Sequence, residues 1–163
     1  MGPMWLGATA KGLFYLNLGP LDDGALRSFF TGRHDVGFRE GGETVERAAR
    51  EIAHYFARKQ RKFTVPLDLT GTSAFAKKVW RAAARIPFGE TRSYAWIADR
   101  AGGPNFARAV GGALGSNPVP LIIPCHRVVA AGGGLGGFTG GLRLKTWLLE
   151  FEAGSQVLPL AEP

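Results

Sequence analysis

The sequence has little cysteine, a minority of acidic residues and no long apolar run. Its 163 residues include a single cysteine, Cys125, which excludes an internal disulfide and a cysteine-rich zinc site. No apolar stretch approaches the ~20 residues needed to cross a bilayer. The first residues contain neither the basic segment nor the apolar segment of a secretion signal. We therefore expect a cytoplasmic protein that does not associate with membranes.

Basic residues outnumber acidic ones by 20 to 13, which gives a formal net charge of +7. Residues 1–70 hold ten Lys and Arg against eight Asp and Glu, whereas residues 71–163 hold ten against five. A basic surface favours a polyanionic partner such as nucleic acid, whose phosphates supply salt-sensitive affinity. Many basic proteins bind no nucleic acid, so the charge alone leaves the partner open.

The first 70 residues are predicted to form a small α/β domain. Residues 4–8 and 12–18 are typical of two strands, and residues 43–57 have the apolar spacing of an amphipathic helix. Asp22-Asp23 could cap a short helix that runs to Phe30. The alternating apolar residues of 63–69 predict a further strand, which Pro66 would place at a sheet edge. Thr70-Gly71 is the expected domain boundary.

Residues 71–155 are predicted to form a mainly helical second domain, followed by a tail at 156–163. Apolar residues at helical spacing predict helices that begin near Phe75, Tyr94, Asn105 and Gly141. The second and third of these are separated by Gly102-Gly103-Pro104, which is the outline of a helix-turn-helix. Leu121-Ile122-Ile123 is typical of a short buried strand.

The third helix of this domain has an unusually bare outer face. Helical spacing places Phe106, Ala109, Val110 and Ala113 inward and leaves Arg108, Gly111, Gly112 and Gly115 outward. Three helix glycines cost about 2–3 kcal/mol relative to alanine. Such a face lets the helix backbone approach another surface closely, with one arginine to insert into a DNA groove. Tight packing on another helix is the alternative.

Cys125 has neighbours that could make it reactive. His126 and Arg127 follow it directly, and cationic neighbours favour a thiolate, which is the nucleophilic form. Glu152 lies on the inner flank of the last helix and could orient His126. The prolines around Cys125 favour a non-repetitive turn over a strand. A small buried hydrophobe is the usual fate of a free cysteine and is the alternative.

Several motifs between Gly71 and Glu152 together resemble the O6-alkylguanine-DNA alkyltransferases, or methylated-DNA–protein-cysteine methyltransferases. They are Ile-Pro-Phe-Gly-Glu-Thr-Arg-Ser-Tyr at 86–94, Arg-Ala-Val-Gly-x-Ala at 108–113, Asn-Pro-x-Pro at 117–120, Pro-Cys-His-Arg-Val at 124–128 and Gly-Gly-Leu at 140–142. The first 70 residues match that family only in size and α/β character. The resemblance implies a ribonuclease-H-like N-terminal domain and a winged-helix-like C-terminal domain.

The resemblance also implies a reaction, the direct repair of O6-alkylguanine in double-stranded DNA, with O4-alkylthymine as a further candidate substrate. Cys125 would attack the alkyl carbon and keep the alkyl group irreversibly. His126 would take the thiol proton through a water molecule, and Glu152 would polarise His126. Asn117 would brace the turn that carries the cysteine.

Substrate and DNA contacts follow from the same resemblance. Tyr94 would hydrogen-bond N3 of the guanine, and the backbone around Cys125 and Val128 would accept from its exocyclic amine. Phe138 and Thr139 would line the pocket, with the Thr139 N–H offered to O6. Arg108 would replace the flipped nucleotide in the base stack, and Ala107, Ala109 and Gly111 would contact the DNA beside it. Phe138-Thr139 stands where the human-type enzyme has Tyr-Ser, which leaves the preferred alkyl size open.

Some members of that family bind zinc through Cys and His ligands of the N-terminal domain. Here that region has no cysteine and only His34 and His54, so we expect no zinc, no other metal and no cofactor. We expect a monomer that acts once per lesion. Two other functions fit part of the pattern: a regulatory DNA-binding module whose cysteine only senses alkylation, and a Cys-His hydrolase. The related proteins that bind lesions without repairing them have tryptophan at the position of Cys125.

Overall fold

The computed structural model describes residues 3–19 and 40–155 of the chain. The chain divides into two compact units, and the change from one to the other lies between Asp68 and Leu69. The domain limits expected from the sequence (1–70 and 71–155, with a tail at 156–163) remain a prediction. The helix expected from Asp22 to Phe30, His34 and the tail lie outside the described residues.

The described residues of the first unit form a β-hairpin and a helix that the sequence predicts. Strands β1 (Met4–Thr9) and β2 (Gly12–Leu18) pair antiparallel, with Met4 opposite Leu18 and a register shift between Gly7 and Ala8. Helix α1 (Glu43–Phe56) buries the apolar side of its helical repeat. The two strands and this helix are therefore confirmed close to their predicted bounds.

The predicted strand at 63–69 is wrong as a regular strand. Its segment makes one isolated parallel bridge, between Leu67 and Leu13. The backbone N–H groups of Thr64 and Val65 donate to the Glu51 carboxylate, at 2.7 and 3.2 Å, instead of to a neighbouring strand. The apolar alternation is real, but a side chain of α1 takes the donors that a sheet would need.

The second unit is mainly helical. Its helices are α2 (Ala74–Ala83), α3 (Tyr94–Ala101), α4 (Ala107–Gly115) and α5 (Leu142–Glu152), and a short parallel pair joins β3 (Arg92–Ser93) to β4 (Val128–Val129). The hydroxyls of Ser73 and Ser93 cap α2 and α3. The indole of Trp80 donates to the carbonyl of Ala113 at 2.7 Å, which fixes α4 against α2. Helices with small sheets agree with the expected α/β class.

Two further expectations for this unit are wrong. Leu121–Ile123 is not a strand: an isolated bridge joins Pro120 to Ile123, and Leu121 is a buried residue with a φ of 73°. Phe106 and Ala109 are exposed rather than inward. Because α4 begins only at Ala107, after a 3₁₀ turn at Pro104–Phe106, the helical phase does not extend to Phe106. Ala109 lies beside the buried stripe and not within it.

No helix among residues 3–19 and 40–155 is long and apolar enough to cross a membrane.

Candidate active site

Cys125, His126 and Arg127 together form one short 3₁₀ turn that leads directly into β4. Pro124 precedes the turn, and the Arg127 N–H closes it on the Pro124 carbonyl at 3.0 Å. All three side chains are buried. The expected non-repetitive turn is therefore present, and it brings Cys125 and His126 into the same interior region. The left-handed backbone of Leu121, costing about 1–2 kcal/mol, lies in the segment that leads to this turn.

Asn117 holds the turn from the end of α4. Its side-chain amide donates to the Cys125 Sγ at 3.1 Å and to the Ile123 carbonyl at 2.9 Å. Its amide oxygen accepts from the Val119 N–H at 3.1 Å, which fixes the orientation of the amide group. A donor aimed at the sulfur stabilises negative charge as it develops there.

His126 is hydrogen-bonded to Glu152 in the interior. The distance from Nε2 to the carboxylate Oε1 is 2.9 Å, and both side chains are almost fully buried. Because a carboxylate only accepts, this bond assigns the proton to Nε2 and leaves Nδ1 with a lone pair. The Nδ1 atom is buried and has no hydrogen-bond partner within the described ranges. This nitrogen can therefore accept a proton.

Arg127 pairs with Glu152 rather than with the cysteine. Its guanidinium donates to both carboxylate oxygens at 2.8–3.1 Å and to the Ile86 carbonyl at 2.7 Å. The Gly89 N–H donates to the same carboxylate at 3.0 Å. Glu152 is thus held as a charge-compensated anion that can orient the imidazole.

The expectation that cationic neighbours of Cys125 favour a resting thiolate is wrong. Burial raises the pKa of the Cys125 thiol, although the Asn117 hydrogen bond and the charge of Lys145 act in the opposite direction. Burial lowers the pKa of His126 in spite of the opposing effect of Glu152. At neutral pH the site therefore holds a thiol and a neutral imidazole. This is an acid–base arrangement in which the thiol must lose its proton before it can attack.

Lys145 is a site residue that the sequence reasoning missed. Its ammonium is completely buried on α5 and donates to the carbonyls of Val128, Leu135 and Gly137. These bonds tie β4 to the loop that follows it. Lys145 lies seven residues before Glu152, and this two-turn spacing places both on the same side of α5, which was the available signal.

The expected pocket residues lie on the loop that follows β4 or next to it. The Tyr94 hydroxyl lies 3.4 Å from the Gly137 carbonyl, and a Cβ at Gly136 would come within 2.7 Å of the Tyr94 ring. The Thr139 hydroxyl donates to the Gly115 carbonyl at 2.7 Å, which links the loop to the end of α4. The Phe138 ring packs against Gly140. Burial raises the pKa of Tyr94, so its phenol keeps its proton.

The outer face of α4 is open. A Cβ added at Gly111 or Gly112 would meet no atom within 4 Å, and Ala107, Arg108 and Ala109 are exposed. Arg108 makes no hydrogen bond or ion pair with any residue that the structure describes. Since nothing in the described unit packs on these glycines, tight helix packing does not explain them here. The face remains available to an external surface.

His54 is exposed in the first unit, and no group of three His, Cys, Asp or Glu side chains in the described part of the chain could hold a metal ion.

Comparison with known proteins gives three kinds of match. The family model of the 6-O-methylguanine DNA methyltransferase DNA binding domain matches residues 74–154. A methylated-DNA–protein-cysteine methyltransferase of Mycobacterium bovis is 51% identical over 105 residues, which are 64% of this chain and 63% of that protein. One of Methanosarcina acetivorans is 38% identical over 156 residues, 93% of this chain and 92% of that protein.

Similarity also extends to solved structures. The crystal structure of Mycobacterium tuberculosis OGT in complex with DNA matches with a TM-score of 0.76 and 39% identity. The match covers 94% of this chain and 88% of that one. The match to the M. bovis relative spans less than two thirds of that protein's length, whereas the match to the Methanosarcina relative is nearly complete.

Proposed function

The chain belongs to the methylated-DNA–protein-cysteine methyltransferase family, and from that premise we propose that it repairs O6-alkylguanine in double-stranded DNA by moving the alkyl group to Cys125. The observation that carries the proposal is the arrangement around the one cysteine. Asn117 donates to its sulfur, and the adjacent His126 is oriented by Glu152 with Nδ1 left as an acceptor.

The proposed reaction is a displacement at the alkyl carbon. The Cys125 thiol gives its proton to His126 Nδ1, through a water molecule, and the resulting sulfur lone pair forms the S–C bond. The C–O6 bond breaks, and its electron pair stays on the purine. The imidazolium that forms is stabilised by Glu152, whose own charge is compensated by Arg127. Asn117 stabilises the negative charge on the sulfur as the thiol ionises.

The loop of residues 135–139 and Tyr94 form the proposed guanine pocket. The Tyr94 phenol donates a hydrogen bond to guanine N3 and so stabilises the negative charge that develops on the leaving purine. The Thr139 hydroxyl is bonded to Gly115, so the group that Thr139 offers to O6 is its backbone N–H. The Val128 carbonyl already accepts from Lys145 and offers its second lone pair to the exocyclic amine.

One molecule is consumed per lesion in this scheme. The C–S bond of the thioether that forms at Cys125 is stable, and the chain has no second cysteine to take the alkyl group. Each protein molecule is therefore proposed to act once. We also propose that it acts as a monomer and without a cofactor. O4-alkylthymine is a second substrate that the same displacement would serve.

DNA binding is assigned to α4. The bare face at Gly111 and Gly112 allows the helix backbone to lie close to the duplex in the minor groove, with Ala107 and Ala109 beside it. Arg108 enters the base stack and takes the place of the flipped nucleotide. Flipping costs a few kcal/mol, less for a poorly paired base, so damage itself assists selection.

Three finer points belong to the same proposal. The hairpin and α1 are the described part of a ribonuclease-H-like N-terminal domain. The pair α3 and α4 is the helix-turn-helix of a winged-helix-like C-terminal domain, in which β3 and β4 form a minimal sheet. The protein is assigned to the cytoplasm.

A comparison of Cys125→Ser with the native chain tests the assignment. The serine variant is expected to bind an O6-methylguanine duplex with near-native affinity and to transfer no methyl group. A variant that still transfers the methyl group would exclude Cys125 as the acceptor. The native chain at equal concentration is the positive control, and an undamaged duplex gives the reference for binding.

A further inference from the structure

Phe106 is a large apolar side chain that the fold leaves open to solvent. It is 44% exposed, and only Met4 and Leu142 share this property among the large apolar residues that the structure describes. It closes the 3₁₀ turn at Pro104–Phe106 and is the residue immediately before α4. Arg108 follows it by two residues.

The Phe106 ring is held in place from one side. A Cβ at Gly102 would lie 3.3 Å from its Cδ2, so the ring rests directly on the backbone of that glycine. Its centroid is 5.6 Å from that of Phe75, with the two planes tilted by 38°. Phe75 lies on the first turn of α2 and is itself half-buried. A ring fixed in this way loses little further rotational freedom when its open side meets a partner.

The surroundings of the ring favour DNA as that partner. Neither the 3₁₀ turn nor α4 contains an acidic residue, and the one charged residue of the two elements is Arg108, in α4. In a helix-turn-helix the N-terminal residues of the second helix approach the DNA most closely. Apolar side chains that enter the minor groove partly unstack a base step and ease its deformation.

We propose that Phe106 is a further DNA-contacting side chain beside Arg108, and that its open side packs on the nucleotides next to the flipped lesion. Phe75 and Gly102 serve as the rigid support behind it. The inference rests on the proposed function, because it assumes that α4 binds a damaged duplex. In the proposed function Arg108 is the side chain that enters the base stack. Phe106 adds an uncharged contact to the same surface.

Binding measured over a range of salt concentrations separates an apolar contact from a phosphate contact. In the Cys125→Ser background, Phe106→Ala is expected to weaken binding to an O6-methylguanine duplex roughly tenfold, the effect of losing one base–aromatic contact. The slope of log affinity against log salt should stay the same, since no charge is removed. Phe106→Leu, which keeps a large apolar side chain but no ring, should recover part of the loss. Met4→Ala, which removes an exposed apolar side chain from the other unit, should change nothing.

Two outcomes would overturn the inference: native-like duplex binding by Phe106→Ala, or a fall in its salt slope. Each Phe106 variant is also made with Cys125 intact and reacted with free O6-benzylguanine. This reaction checks the pocket independently of DNA. If the native chain fails that reaction and also transfers nothing from DNA, the proposed function itself fails.

A second measurement does not depend on how well the alanine variant folds. p-Benzoylphenylalanine at position 106 is expected to cross-link, on irradiation, to a nucleotide within one or two positions of the lesion. Cross-linking between two protein copies, or none to the duplex, would overturn the inference, because the exposed ring would then serve another partner or none.

Discussion

The imidazole of His126 and the carboxylate of Glu152 lie 2.9 Å apart in a region from which solvent is almost completely excluded. The bond uses one nitrogen of the ring and leaves the other, Nδ1, unpaired among the described residues. Arg127 neutralises the carboxylate from its other side. Glu152 therefore fixes the tautomer of the resting imidazole and also lies beside the positive charge that the ring gains when it takes a proton.

The first prediction concerns the pH dependence of alkyl transfer. Burial lowers the pKa of His126 below its ordinary 6.5 and raises the pKa of Cys125 above its ordinary 9.0. The single-turnover rate should therefore be nearly flat between pH 7 and 8 and fall only below pH 6.5. A rate that rises about tenfold per pH unit from 7 to 9 would indicate attack by a free thiolate without a base.

The same histidine should make stability depend on pH with a definite sign. The pKa of His126 is lower in the folded chain than in the unfolded chain. As the pH falls, the unfolded chain therefore binds a proton that the folded chain does not. The free energy of unfolding should thus be nearly constant between pH 7 and 8 and decrease below pH 6.5. Urea titrations at several pH values measure this. His54→Gln, which changes an exposed histidine, should keep the dependence, and an unchanged free energy down to pH 5 would contradict it.

A second prediction separates the role of Arg108 from the chemistry. Arg108→Ala should slow repair of a paired duplex by about tenfold or more, since the space of the flipped nucleotide is left unfilled. Its reaction with free O6-benzylguanine should be native-like. Both rates can be followed by the alkylated fraction of the protein. Equal losses on the two substrates would remove the insertion role.

A third prediction concerns the bond between Thr139 and Gly115. Thr139→Val keeps the shape of the side chain but leaves the Gly115 carbonyl without this donor, at a cost of about 1 kcal/mol. Because the bond joins the pocket loop to α4, duplex repair should slow by at most about fivefold, the rate equivalent of that whole cost. Thr139→Ser retains the hydroxyl and should repair normally. A serine variant as slow as the valine variant would show that the methyl group, and not the bond, matters.

A fourth prediction tests Lys145 as a positioning residue. Lys145→Met removes the donor shared by three loop and strand carbonyls and should lower stability by about 1–3 kcal/mol. Free O6-benzylguanine should then react with a weaker apparent affinity, because the 135–137 segment is no longer tied to β4. Arg143→Ala, which removes an exposed charge from the same helix, is the matched control. Native-like substrate affinity in Lys145→Met would reduce the residue to a purely structural role.

Local pattern was enough to predict much of the fold. The β1–β2 hairpin and α1 follow from alternation and helical spacing, which act within a few residues. The segment 63–69 also alternates, yet it pairs at one residue only, because the Glu51 side chain takes its donors. That competition is a tertiary effect, and no short-range pattern contains it.

The site shows the same division. The sequence predicted that Glu152 lies beside His126 and that Asn117 braces the turn, and the structure contains both contacts. The pairing of Arg127 with Glu152 and the burial of Lys145 depend instead on how α5 packs against the turn. A lone lysine on a helix is usually solvated, so its burial carries little signal in one sequence. The exposure of Phe106 was missed for a geometric reason, since a helical wheel does not apply before the helix begins.

The central claim is that the alkyl group ends on Cys125 and stays there. The direct measurement is the intact mass of the native chain after incubation with an excess of duplex that carries one O6-methylguanine, followed by peptide mapping. The account predicts a gain of one methyl group, located on Cys125, that stops at one per protein molecule however much substrate remains. Methylation of another residue, more than one turnover per molecule, or no gain alongside intact lesion binding would contradict it.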